Sequence, residues 1–318
     1  MKNKFIIYIL LVFSCLIINE NLSAEEFIFN TSEIKISNNG NIVNASNGIA
    51  KSTTDNIEID AEKFLYNKTL SILNATNGVA TSIDDNIEIK ANKFLYNKTL
   101  STLNAIGNVE LRDSTHNILV KSQSIFYYIN DKIIKSETNS KIKDELGNIF
   151  FMNSFSYSIN EDLVKVNKVK MIDVEKNEIE IEKAYINLNS SKLIGKDVSI
   201  NFNNKSFKKD NEPRVKGKRV SINENETIIN KGIFTTCKKN DNCPPWQLSA
   251  QEIRHNKEKK TIYYKNAWLK LYGKPVFYFP KFFHPDPSVK RQSGFLMPRF
   301  EDSNNLGKSF HLPYFKVI

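Results

Sequence analysis

The chain has 318 residues, with 45 Lys and Arg against 35 Asp and Glu, for a formal charge of +10. It is 40% hydrophobic and 11% aromatic, with only 11 Gly and 9 Pro, which excludes disordered and collagen-like chains and leaves room for two domains. Asn, Lys and Ile are abundant, a bias that reads as genomic rather than functional.

Residues 1–24 open on Lys2 and Lys4, continue as an apolar run from Phe5 to Ile18, and end on Leu22-Ser23-Ala24. This is the pattern of a secretory signal peptide cleaved after Ala24. The run is short of the roughly 20 residues that a membrane span needs. Cys15 as a lipidation site fits poorly with Phe13 and with the apolar run continuing through Ile18. An exported chain has no reason to meet nucleic acid. The basic stretch from Lys205 to Arg219 therefore reads as a solvated loop or as attraction to anionic lipid or polysaccharide.

A repeat follows. Residues 55–80 read DNIEIDAEKFLYNKTLSILNATNGVA and residues 85–110 read DNIEIKANKFLYNKTLSTLNAIGNVE. Apolar side chains fall on every second position in Asn56–Ala61 and again from Thr69, until Leu73 breaks the order. Period two is the signature of a half-buried strand. Tyr66–Thr69 and Asn77-Gly78 carry turn chemistry, so the unit is expected to be two or three short strands in about 30 residues. An earlier copy lies at 44–50, a diverged one at 117–128, and weaker echoes at 178–184 and 219–222. The stacked region thus runs from about 27 to about 230, as a β-helix or an open β-jelly roll whose core comes from stacking. Ile57, Ile59, Phe64, Ile87, Ile89 and Phe94 share one parity. They line either a plain core or a long apolar groove, and either parity could face inward.

Catalytic patterns are missing. His116, His255, His284 and His311 are scattered, and no HExxH, phosphate-binding loop or GxSxG occurs. Glu58 and Asp60 alternate with Ile and read as a solvated face. The chain is expected to be a binder, conduit or scaffold, not an enzyme, with no cofactor and no metal. Cys237 and Cys243, in TTCKKNDNCPPW, are the only cysteines after residue 24. They pair with each other or with cysteines outside this chain.

After about residue 233 the texture changes, and six prolines fall between 275 and 313. The motifs CKKNDNCPPWQLSA at 237–250, GKPVFYFP from Gly273, RQSGFLMP from Arg291 and LPYF from Leu312 together resemble those of the OstA family of LPS-assembly proteins (LptD). The resemblance implies an all-β chain: a repeat-built β-jelly roll like that of LptA, followed by the first strands of an outer-membrane β-barrel. It implies domains at 1–24 (signal peptide), 25–232 (periplasmic jelly roll), 233–290 (a connecting region) and 291–318 (the start of a barrel that the sequence does not complete). It also implies LPS as cargo, an LptA-like periplasmic bridge and an LptE-like lipoprotein as partners, and an outer-membrane location with the N-terminal domain in the periplasm. Pro298 and Pro313 match the prolines that weaken the barrel's lateral gate. A stand-alone bridge of the LptA type and a β-solenoid glycan-binding protein are the alternative readings.

Overall fold

The computed structural model describes residues 26–144, 147–203, 212–238, 245–286, 289, 293–295, 299–303, 307–311 and 313–316. The expected signal peptide, Cys243 and Pro298 lie outside them, as do the first residues of the basic stretch.

The described chain is strand throughout. The first half holds β1 (Phe27–Ser37), β2 (Ile42–Ser52), β3 (Ile57–Asn67), β4 (Ile72–Ser82), β5 (Ile87–Asn97), β6 (Thr102–Asp113), β7 (Ile118–Tyr128), β8 (Ile133–Ser136) and β9 (Ser140–Lys143). The second holds β10 (Ile149–Ser158), β11 (Leu163–Ile172), β12 (Glu178–Asn187), β13 (Lys192–Asn201), β14 (Arg214–Ile222), β15 (Glu226–Thr235), β16 (Trp246–Asn256), β17 (Thr261–Leu271) and β18 (Lys274–Pro285). All eighteen belong to one sheet. It is a plain antiparallel meander in which each strand pairs with the next. The exception is β8 and β9, two halves of one interrupted position between β7 and β10. Two short pairs follow, β19 (Gly294–Phe295) with β22 (Tyr314–Phe315) and β20 (Arg299–Ser303) with β21 (Gly307–His311).

The repeat is therefore two long strands per 30 residues. Asn77-Gly78, expected as a turn, lies inside β4. Asn77 has φ 51° there, and Asn47, Asn108, Lys168, Asp197, Lys231 and Asn266 take the same left-handed conformation at the middle of β2, β6, β11, β13, β15 and β17. At those positions the pairing skips a residue, and the skips line up across neighbouring strands. Both partners omit a residue at most skips, so the register is kept there and shifts only in the β5–β6 and β6–β7 pairs; the aligned left-handed kinks make a crease running across the sheet. On either side of it the inward parity slips by one: in β3, Ile57, Ile59 and Ala61 point in, then Phe64 and Tyr66. Gly78 is needed because a Cβ there would come within 2.2 Å of the Asp60 carbonyl oxygen.

Folding along the crease lays the two halves of the sheet over one another. Phe27 of β1 packs edge-on against Tyr96 of β5 with ring centroids 5.3 Å apart, and Phe29 against Phe64 at 6.0 Å. The buried side chains form a single cluster from Phe27 to Ala267. The change of texture at residue 233 marks no edge of the sheet, since β15 pairs with β16 along its length and β17 and β18 extend it.

Candidate functional site

The interior is built in rows. One runs across the pairings Ala45, Phe64, Ala75, Phe94, Ala105, Ile125. A second runs Ala50, Ile59, Ala80, Ile89, Leu111, Val120. Large and small side chains alternate along the first row and along the second as far as Ile89, which lets facing layers interdigitate. Ile57, Ile59, Phe64, Ile87, Ile89 and Phe94 all point into this interior, and none is more than 3% exposed. The open question of parity is thereby answered: the isoleucine face is inward, and Glu58 and Glu88 point out, with Glu58 paired to Lys51 at 2.7 Å. In the described state these six side chains are packed against protein.

One long side of the roll is closed by a series of polar clasps that the sequence reading did not find. The Tyr66 hydroxyl donates to Glu26, Tyr96 to Asp55, Tyr127 to Asp85, and Tyr157 to Asp113, the last at 2.8 Å. Each joins a carboxylate in a turn or at a strand end to a tyrosine near the end of a strand further along. Lysines reinforce two of them, Lys98 on Asp55 at 2.9 Å and Lys132 on Asp85 at 2.7 Å. His116 lies between Asp113 at 2.9 Å and Asp162 at 3.2 Å in the fourth. Burial alone would raise the Asp55 and Asp85 carboxyls, but bonds from Tyr and Lys outweigh it and hold both below the usual range. Burial, with the facing carboxylate, pushes all four tyrosines up. The signal was in the sequence as a carboxylate followed about 40 residues later by Tyr. In the later strands β12 and β14, Ile186 and Ile222 stand at the corresponding row.

At the other end the interior turns aromatic and opens. Phe277, Phe279, Phe282, Tyr264 and His284 line the inward face of β17 and β18, with rings 4.6 Å apart for Phe277–Phe279 and 5.3 Å for Phe279–Phe282. The Tyr264 hydroxyl and His284 Nε2 are 2.9 Å apart. Burial pushes the His284 imidazole below its ordinary value. Phe277 is 57% exposed, because among the described residues β18 pairs only with β17. Pro280 falls on the crease, where no ladder bond is missed. Cys237 is half-buried, and Arg214 donates to its carbonyl and to that of Glu212. The expected Cys237–Cys243 pairing involves a residue outside the described set, as does the gate pair Pro298 and Pro313, of which Pro313 alone is described, half-buried beside β22.

Over 89 residues, 28% of this chain, the sequence is 38% identical to the LPS-assembly protein LptD of Yersinia pestis bv. Antiqua (strain Antiqua). It is 35% identical over 89 residues to that of Sodalis glossinidius (strain morsitans) and 31% over 88 residues to that of Pasteurella multocida (strain Pm70). The chain is similar to LPS-assembly protein LptD. The match covers 11% of the length of each of these LptD relatives. No protein-family model matches the chain. The LptD similarity and the all-β rolled sheet agree with the expected fold class.

Proposed function

We propose that this chain serves LPS assembly at the outer membrane, its rolled sheet conducting lipid acyl chains toward a membrane exit. The observation that carries this reading is an apolar interior that runs from Phe27 to Ala267 and opens at an aromatic end, in a chain similar to LptD. Ile57, Ile59, Phe64, Ile87, Ile89 and Phe94 are the side chains the acyl groups would meet. Keeping each methylene out of water contributes about 0.8 kcal/mol, so the transfer needs no catalytic group.

The interior is packed in the free chain, so acyl chains enter by parting the two leaves of the creased sheet, on the side without clasps. The edge of β1, which among the described residues pairs only with β2, can take an added strand from an LptA-like periplasmic bridge. The aromatic mouth at β18 hands the lipid to a barrel that begins within 291–318. There Pro298 and Pro313 would leave the first strands short of donors and ease a lateral opening. An LptE-like lipoprotein would act on that barrel. The N-terminal domain then lies in the periplasm, where Cys237 can form a disulfide.

A photo-crosslinking amino acid tests the route. Placed at Ile59 or Ile89 it should capture LPS in growing cells. Capture from Glu58 and Glu88 alone, or from none of the four, would overturn the interior route.

A further inference from the structure

The outward face of the last hairpin gathers exposed aromatic side chains and lysines. The outer positions of β16 are polar: Gln247, Ser249, Glu252 and Arg254. Their neighbours on β17 and β18 are aromatic side chains and lysines: Trp268, Tyr278, Tyr263 and Phe283 with Lys265, Lys270 and Lys281. Trp268 is 44% and Tyr278 41% exposed, paired across the strands with rings 4.9 Å apart. At the hairpin tip, Leu271, Tyr272 and Val276 are 44%, 71% and 52% exposed. Lys265, Lys270, Lys274 and Lys281 punctuate the same segment, and no Asp or Glu occurs between Lys259 and Pro285.

A soluble surface does not gather this much apolar area without a partner. Trp and Tyr with lysines, and no carboxylates, are the chemistry of the membrane–water interface, where amphipathic rings sit at headgroup depth. Lysines close to an anionic leaflet are drawn to its headgroups, an attraction that salt screens. We propose that the β17–β18 hairpin is a contact with an anionic bilayer surface, with the tip residues Leu271, Tyr272 and Val276 inserted and Trp268 and Tyr278 at headgroup level. The contact uses the outer face of the sheet, so it stands or falls independently of acyl-chain passage through the interior.

The two tryptophans make the test direct. Trp246 packs inward against Phe234 with rings 5.9 Å apart, and Trp246→Phe leaves Trp268 as the sole reporter. Vesicles of phosphatidylethanolamine and phosphatidylglycerol carrying brominated acyl chains should quench Trp268 emission at least twofold. Vesicles of phosphatidylcholine alone should not, and high salt should reverse the effect. Tyr272→Ser with Val276→Ser should weaken vesicle binding at least tenfold, whereas Leu65→Ser, an equally exposed leucine on the outer face of β3, should leave it unchanged. The proposal is overturned if Trp268 is quenched no more than Trp246 in the Trp268→Phe chain. It is overturned equally if Leu65→Ser weakens binding as much as the tip variant, or if Trp268 emission shifts with protein concentration in the absence of lipid, which would identify a second copy as the occupant.

Discussion

Replacing Phe94 by Ala distinguishes a packed interior from an open groove. Phe94 is wholly buried, and its cross-strand neighbours in the row are Ala75 and Ala105. Neither is large enough to swing into the space. Removing the ring forfeits roughly 150 Å² of buried apolar surface, about 4 kcal/mol at 25 cal/mol per Å². That lies within the 3–5 kcal/mol typical of such truncations. In a meander each strand touches mainly its neighbours, so the loss should fall locally. Amide exchange in β4, β5 and β6 should accelerate more than in β15 and β16, and urea unfolding followed by circular dichroism should begin at lower denaturant. A loss below about 1 kcal/mol would mean that the ring has few packing partners, and the interior would have to be redrawn as an open channel.

Tyr127→Phe removes one clasp bond to a charged carboxylate and should cost about 1.5–3 kcal/mol, measured by thermal or urea unfolding. Because the folded carboxyls of Asp55 and Asp85 lie below their unfolded values, their contribution is fully present above the unfolded value near 3.8 and is lost as pH falls through the folded one. An acid titration of stability should therefore flatten in this range in an Asp55→Asn, Asp85→Asn chain. His284, also depressed, contributes stability that is complete above its ordinary value near 6.5 and fades on acidification. His284→Gln should remove the part of the stability–pH slope just below that point. Gly78→Val forces a Cβ into the Asp60 carbonyl and should destabilise by about 1–3 kcal/mol, whereas a valine at Gly40, which has open space around it, should cost only its left-handed φ.

Much of the β architecture was legible because period two survives along half a strand. Ile57, Ile59, Ile87 and Ile89 announce themselves by alternation, and Phe64 and Phe94 by recurrence. What the pattern hid was the crease. Alternation fails after Ala61 not because the strand ends but because the crease shifts the parity, and Asn77-Gly78 looks like a turn because the same left-handed geometry serves both. The abundance of Asn, read first as genomic bias, has a use: nine of the twenty non-glycine residues with positive φ among those described are Asn, whose short amide tolerates that region. The tyrosine clasps were missed because their partners lie about 40 residues apart and meet only once the sheet is rolled. The aromatic run after Gly273 was visible, but its separation into an inward mouth and an outward face depends on the β17–β18 register.

The doubled segment at 55–110 makes the roll adjustable in length. Residues 55–84 can be cut so that Thr54 meets Asp85, and β2 would then pair with β5 in the register it now keeps with β3. Two strands are lost, about 10 Å of axial reach at the usual strand spacing, while both ends stay as they were. Near-identical copies thus act as interchangeable spacers. The roll could therefore be lengthened or shortened by duplication or deletion in whole steps, with no redesign of either terminus.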